Sequence, residues 1–299
     1  MAAAQTRAAE SAPVRLPAPA KLNLWLHICG RRRDGYHNLQ TLFQLLDWGD
    51  QLTFTANNRG VVELLGSPPG VAVEQNLIVR AAQQLRPFAA DHAGCTIALD
   101  KVVPMGGGLG GGSSDAATTL VALNALWQCQ LSSAQLCALG AQLGADVPLF
   151  VAGHSAFAEG IGEQLSAVQI EPRWYLLVTP NCHVDTGEIF SHPQLTRESP
   201  AIKIRALSTA LGRNDCEAVV EQLYPEVAAA RNWLSSYSPA LMTGTGASVF
   251  AAFCDRNAAE QVAAQVPQKW RAFVAQGVNE SPLHSAMRNN KLLGCRQEA

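Results

Sequence analysis

The chain has 299 residues, 48% of them hydrophobic and 15% charged, with a formal net charge of −2. That balance supports a full core in one large domain or two ordinary ones and argues against disorder. It offers no broad basic field for nucleic acid and no apolar run of about 18 residues for a membrane span.

In chain order, residues 1–13 are alanine-rich, lack the apolar stretch of a signal peptide and read as a loose tail. Ala20–Ile28 alternates Leu22, Leu24, Leu26 and Ile28 with Lys21, Asn23, Trp25 and His27, which predicts a strand with Lys21 and Asn23 on one face, one pleat apart. By local pattern alone Lys21 is an edge-strand lysine reaching solvent and Asn23 a structural amide. The basic cluster Arg31–Arg33 reads as a solvated turn, and Asp34-Gly35 as a turn signal followed by an aromatic, Tyr36, and an imidazole, His37. Leu39–Trp48 and Gln51–Ala56 continue as extended chain, Asn76–Leu85 has helical spacing, and Thr96–Leu99 is a short strand ending near Lys101.

The next segment, Pro104-Met-Gly-Gly-Gly-Leu-Gly-Gly-Gly-Ser-Ser114, holds six glycines in eleven residues. Between a strand and a helix, such a loop brings backbone N–H groups against an anion, and the helix start adds partial positive charge. A Walker loop is excluded, because Gly112 precedes Ser113 where lysine is required. Gly106, Gly108 and Gly111 match a dinucleotide fingerprint formally, but no Asp or Glu occurs from Ala116 to Ala145 to hold a ribose, and two helices follow where a strand should return.

Ser114–Gln128 is the first of these helices, with a stripe of Ala116, Leu120, Leu123 and Trp127 and a cap from Ser113 or Ser114; Ser133–Leu143 is the second, ended by a left-handed Gly144. Asp146-Val147-Pro148 opens a third, short helix that stops near Gly153, and locally Asp146 reads as its N-cap. Trp174–Val178 is a strand. Helical stretches follow at Ala201–Leu211, Glu217–Leu223 and Val227–Leu234, then a glycine turn at Thr243–Ser248, a strand at Val249–Cys254, a helix at Asn257–Ala264 and a last strand at Trp270–Gln276. A boundary near residues 155–170 divides two α+β layers. The eight cysteines form no Cys-x-x-Cys pair and no zinc spacing, as expected of buried thiols in a reducing cytoplasm.

The glycine segment resembles the ATP loop of the GHMP kinases, and Pro19-Ala-Lys-Leu-Asn23 and Thr243-Gly-Thr-Gly-Ala-Ser248 resemble that family's N- and C-terminal motifs, in the right order. Asp34-Gly-Tyr-His37, Leu39-Gln-Thr-Leu-Phe43, Gly144-Ala-Asp-Val-Pro148 and Ala156-Phe-Ala-Glu-Gly160 narrow the resemblance to a bacterial branch that phosphorylates the 2-hydroxyl of a cytidyl alcohol on the non-mevalonate route to isoprenoids. The match covers about residues 17–287.

The resemblance implies an α+β, two-domain GHMP kinase fold with the active site in the inter-domain cleft. Its nucleotide half would be residues 14–160, its second half 161–287, with 288–299 a tail. It implies that Lys21 and Asp146 are catalytic, the lysine aimed at the hydroxyl and the moving phosphoryl group. ATP would be held by Pro104, Met105, Gly106, Gly107, Gly108, Leu109, Gly110, Gly111, Gly112, Ser113 and Ser114, with Lys101 against the adenine or the phosphates. Asn23, Tyr36, His37, Thr186 and Phe190 would bind the cytidyl substrate, Tyr36 and Phe190 sandwiching the ring and His37 reading its edge. ATP and Mg²⁺ are the expected co-substrate and cofactor. The metal ligands are left open: Ser113 or Ser114 can contribute, and no acidic ligand is evident beside the loop. The expected protein is cytoplasmic, a monomer or homodimer, bound to neither nucleic acid nor membrane. A GHMP kinase for another alcohol such as homoserine, a catalytically dead nucleotide sensor and a dehydrogenase are the rivals.

Overall fold

A computed structural model describes residues 11–202 and 212–290. Ten strands and nine α-helices alternate along these residues. The first half runs β1 (Val14–Arg31), β2 (His37–Asn57), β3 (Val62–Leu65), α1 (Leu77–Leu85), β4 (Gly94–Asp100), α2 (Gly111–Leu126), α3 (Ser133–Ala141), α4 (Val147–Ala152), β5 (Ala156–Glu159) and β6 (Gln164–Ala167). The second runs β7 (Trp174–Thr179), α5 (Thr186–Ser191), α6 (Glu217–Leu223), α7 (Pro225–Ser235), β8 (Ala240–Met242), β9 (Val249–Phe253), α8 (Arg256–Ala263), β10 (Arg271–Val278) and α9 (Pro282–Asn289). The helix expected at Ala201–Leu211 lies largely outside the described residues.

One sheet path, β3-β4-β2-β10-β7-β9-β8, joins both halves. Its hub is β2, 21 residues long, which pairs antiparallel with β1, β4, β5 and β10. The link between halves is short, Leu46 against Gly277 and Leu45 against Val278. A cluster built from Leu22, Leu24, Leu42, Tyr175, Leu177 and Phe250 spans the same junction. After β10 the chain returns to the first half, where α9 buries Leu283 and Met287 in the same cluster as α2 and α4.

The expected strand in β1 is present but longer, and it is buried on both faces rather than alternating. The reason lies outside its own sequence. One side of β1 pairs with β2, and the other is covered by distant chain: the Lys21 amide donates to Leu109 O at 3.0 Å, the Asn23 amide to Thr243 Oγ1 at 2.9 Å and the Leu26 amide to Arg213 O at 3.0 Å. With the amides of Lys21, Asn23 and Leu26 met by protein on that side, this stretch is no open edge, and the reading of Lys21 as a lysine reaching solvent is overturned: it is 3% exposed.

The helices follow local rules with three corrections. Asn76 caps α1 by accepting from the Ile78 amide, and Ser132 with Gln135 forms a capping box on α3. The helix expected from Ser114 starts at Gly111 instead, with left-handed Gly110 as N-cap, so neither Ser113 nor Ser114 caps it. It is also buried well beyond its predicted stripe, because α1, α3, α4 and the sheet surround it; small Ala116, Ala117 and Ala122 allow that approach. The second helix ends at Ala141 with right-handed Gln142 at its C-cap, so Gly144 is not the left-handed stop that the sequence suggested.

Candidate active site

The glycine segment sits in a clamp. The Ala247 and Ser248 amides donate to Gly106 O and Gly107 O at 3.1 and 3.2 Å, Thr243 Oγ1 and Lys21 Nζ donate to Gly108 O at 3.3 and 2.9 Å, and Leu109 O accepts from Lys21 N. With the loop carbonyls held by β1 and the C-terminal glycine turn, its conformation is set from two sides. At the helix start the Gly111, Gly112 and Ser113 amides have no intrahelical acceptor, which is the geometry that holds an anion.

Two cavities flank this loop. The first, about 370 Å³, is lined by Leu77, Asn76, Leu99, Lys101 and the loop from Pro104 to Ser113. The second, about 340 Å³, is lined by Lys21, Asn23, Asp146, Thr186, Phe190 and the Gly244–Gly246 turn. Gly106, Gly108, Gly110 and Ser113 line both, so the loop is a wall that the two cavities share.

On the second side the Lys21 ammonium meets three acceptors, Asn23 Oδ1 at 2.6 Å, Gly108 O at 2.9 Å and Asp146 Oδ2 at 3.3 Å. These match its three N–H donors. Asn23 donates through Nδ2 to Thr41 Oγ1 at 2.8 Å, and Thr41 Oγ1 donates to Trp25 O at 2.6 Å, so the amide is oriented with its oxygen on the lysine. Asp146 occupies the N-cap position of α4 but makes no capping bond. Its carboxylate turns toward Lys21 and stays 30% exposed, so local chain places the residue and tertiary contact orients it.

Thr186 and Phe190 rise from the short helix α5, capped by Asp185, and Thr186 Oγ1 lies 2.9 Å from Thr245 Oγ1. His37 stacks on Phe190, with ring centroids 5.4 Å apart. Tyr36 is 61% exposed, and neither Tyr36 nor His37 lines the second cavity itself. Ser114 departs from the expectation for the loop: it lines neither cavity, its side chain is wholly buried, and its Oγ has no partner among the described residues. One step along a helix turns a side chain by about 100°, which separates it from Ser113.

Beside the first cavity stands an arrangement that sequence reasoning missed. Lys101 Nζ lies 2.5 Å from Asp50 Oδ2 and 2.8 Å from Asp115 Oδ2. Asp50 Oδ1 also accepts from the Val102 and Val103 amides at 2.6 and 2.8 Å, pinning the chain where it enters the loop. The signal for Asp115 was present, since it directly follows Ser114; the partnership with Asp50 crosses 51 residues and left no local trace. Burial works against the Lys101 charge, but the two carboxylates outweigh it and hold its pKa above the ordinary value. Burial pushes the Asp115 carboxyl up to about 7, with Lys101 opposing and Asp50 adding to the rise.

An Asp raised in the folded state keeps a proton there that the unfolded chain releases near pH 4. Its contribution to stability is therefore full below about pH 4 and is lost as pH rises toward 7. Asp115→Asn, which does not titrate, is expected to gain several degrees of Tm relative to the parent between pH 5 and pH 8 in thermal unfolding. A Tm difference independent of pH would mean that Asp115 is ionised throughout.

For a metal, the described residues contain no group of three His, Cys, Asp or Glu side chains that could hold an ion. Ser113 lines both cavities and Asp115 the first, and the buried Asp115 Oδ1 has no hydrogen-bond partner among the described residues. Such a sparse set of hard oxygen donors fits Mg²⁺, which keeps waters and takes most of its protein-site ligands from phosphates. No helix among the described residues is long and apolar enough to cross a membrane.

Comparison with known proteins bears on this geometry. Residues 76–154 match the GHMP kinases N terminal domain and residues 195–272 the GHMP kinases C terminal domain. The 4-diphosphocytidyl-2-C-methyl-D-erythritol kinase of Vibrio cholerae serotype O1 is 55% identical over 91% of this chain and 93% of its own length. The enzyme of that name from Tolumonas auensis is 54% identical over 90% and 94%. A crystal structure of 4-(cytidine 5′-diphospho)-2C-methyl-D-erythritol kinase superposes with a TM-score of 0.79 at 33% identity, covering 89% of this chain and all of the other. A mevalonate kinase at 12% identity and a TM-score of 0.65, covering 90% of this chain and 100% of its own, shares the fold.

Proposed function

The chain belongs to the GHMP kinase family, and from that premise we infer that it transfers the γ-phosphoryl group of ATP to the 2-hydroxyl of 4-diphosphocytidyl-2-C-methyl-D-erythritol, a step of non-mevalonate isoprenoid synthesis. The observation that carries this reading is the pair of cavities on either side of one glycine loop, with a lysine–carboxylate pair on the acceptor side. The 52–55% identity to enzymes of that name supports the acceptor.

In this reading ATP lies in the first cavity, with its phosphates against the loop amides and the start of α2. Residues 14–160 form the nucleotide half, and residues 161–287 supply Thr186, Phe190 and the Gly244–Gly246 turn. The acceptor hydroxyl sits between Asp146 and Ser113. Asp146 orients it and takes its proton; Lys21 stands where charge accumulates on the moving phosphoryl group. The transition state is loose, so little activation of the hydroxyl is needed and placement dominates. Asn23 serves by aiming Lys21. Mg²⁺, when bound with ATP, spreads the charge of the β- and γ-phosphates, with Ser113 the protein hydroxyl at hand. Lys101, held by two carboxylates, shapes the loop entrance more than it neutralises phosphate. The compartment this reading implies is the cytoplasm.

The test is ADP release from Mg-ATP with 4-diphosphocytidyl-2-C-methyl-D-erythritol, homoserine and mevalonate side by side. Turnover with the cytidyl compound alone is expected; comparable turnover with homoserine would overturn the acceptor. Tyr36, exposed beside His37, offers an open face to the cytosine ring. Tyr36→Ala is expected to raise KM for the cytidyl substrate about tenfold, the scale of a lost aromatic contact of ~1.5 kcal/mol, and to leave KM for ATP unchanged. Equal loss for both substrates would remove the stacking role.

A further inference from the structure

Arg197 has a set of contacts that phosphoryl transfer does not explain. Its Nη1 donates to Leu195 O at 3.2 Å, its Nη2 to Phe190 O and His192 O at 3.0 and 2.8 Å, and its Nε to His37 Nε2 at 3.1 Å. Three backbone carbonyls thus aim the guanidinium at the imidazole. Arginine has only donors and keeps its proton at any ordinary pH. The nitrogen it meets must therefore present a lone pair, which leaves the single ring proton of neutral His37 on Nδ1. Nδ1 has no hydrogen-bond partner among the described residues. The ring is held flat against Phe190, which lines the acceptor cavity. Burial, Arg197 and Arg31 together lower the pKa of His37, and a second ring proton would set two cations face to face.

We infer that Arg197 is a positioning residue that fixes His37 as the Nδ1–H tautomer, so that the base site beside Phe190 selects a pyrimidine with a lone pair on N3, cytosine rather than uracil. Cytosine N3 accepts a hydrogen bond; uracil N3 carries a hydrogen and would face the imidazole donor to donor. Leaving both donors unmet in a desolvated site corresponds to about a 10- to 100-fold preference. The inference rests on the cytidyl reading of the acceptor site.

Two measurements on the full chain test it. In the first, CDP and UDP compete with the cytidyl substrate. The parent protein is expected to bind CDP about 10- to 100-fold more tightly than UDP, and Arg197→Gln to lose most of that ratio while KM for ATP stays unchanged. A merely structural role would weaken both nucleotides alike. In the second, long-range ¹H–¹⁵N correlations of the parent protein, assigned by the signals lost in His37→Asn, are expected to show Nδ1 protonated and Nε2 bare. This measurement decides the matter even if Arg197→Gln fails to fold. A proton on Nε2 overturns the inference. A parent that prefers CDP, with a variant that keeps the full preference, overturns the role of Arg197 alone. A parent that binds CDP and UDP alike overturns the cytidyl reading as well.

Discussion

Replacing Asp146 by alanine is expected to lower kcat by roughly two to four orders of magnitude while ATP still binds. The carboxylate is placed by the start of α4, makes no capping bond there, and faces Lys21 at 3.3 Å on the acceptor side of the loop. In the proposed mechanism its loss removes the group that orients and deprotonates the hydroxyl, yet Asp146 does not itself line the first cavity. Lys21 keeps Asn23 Oδ1 and Gly108 O, so its buried charge is not left bare and the fold is expected to survive. Steady-state rates and calorimetric ATP titration check both halves of the statement. A loss below tenfold would take Asp146 out of the mechanism.

Gly108→Ala is expected to cost about 10²-fold or more in kcat/KM, with a fall of several degrees in Tm. Gly108 has a φ of +72°, and an added Cβ would lie 2.2 Å from Thr243 O and 3.0 Å from Gly246 O. Both are backbone atoms, so no side chain can swing away, and the left-handed conformation itself costs alanine about 1–2 kcal/mol. Relief requires the loop and the C-terminal glycine turn to part. That moves the shared wall of the two cavities, and it loosens Gly108 O, which Lys21 and Thr243 both hold. A displacement of about 1 Å at a site that works by placement is enough for the stated loss. A variant that retained more than a tenth of the activity with an unchanged Tm would show that this contact is not formed in the working enzyme.

The two variants probe different kinds of information. Asp146 has a local reading as an N-cap and a tertiary one as the partner of Lys21, and the structure separates them because the side chain declines the cap. Lys21 likewise reads as an edge lysine until the backbone of residues 109 and 213 and the Thr243 hydroxyl close over β1. Asp50, Asp115 and Lys101 look unremarkable one by one. They become a buried trio only when β2, β4 and α2 meet.

The sequence by itself determined whatever depends on near neighbours: the strand at Lys21 and Asn23 with both side chains on one face, the glycine run against the start of a helix, and the Pro148 helix that carries Asp146. These follow from periodicity and backbone conformation, which act over a few residues. Only the tertiary structure decided which faces are buried, that one loop walls two cavities, and that Arg197 meets His37 from 160 residues away. Such contacts depend on complementary shape and charge between segments that approach one another only when the whole sheet and its three clusters form. No local pattern in either segment has to record them.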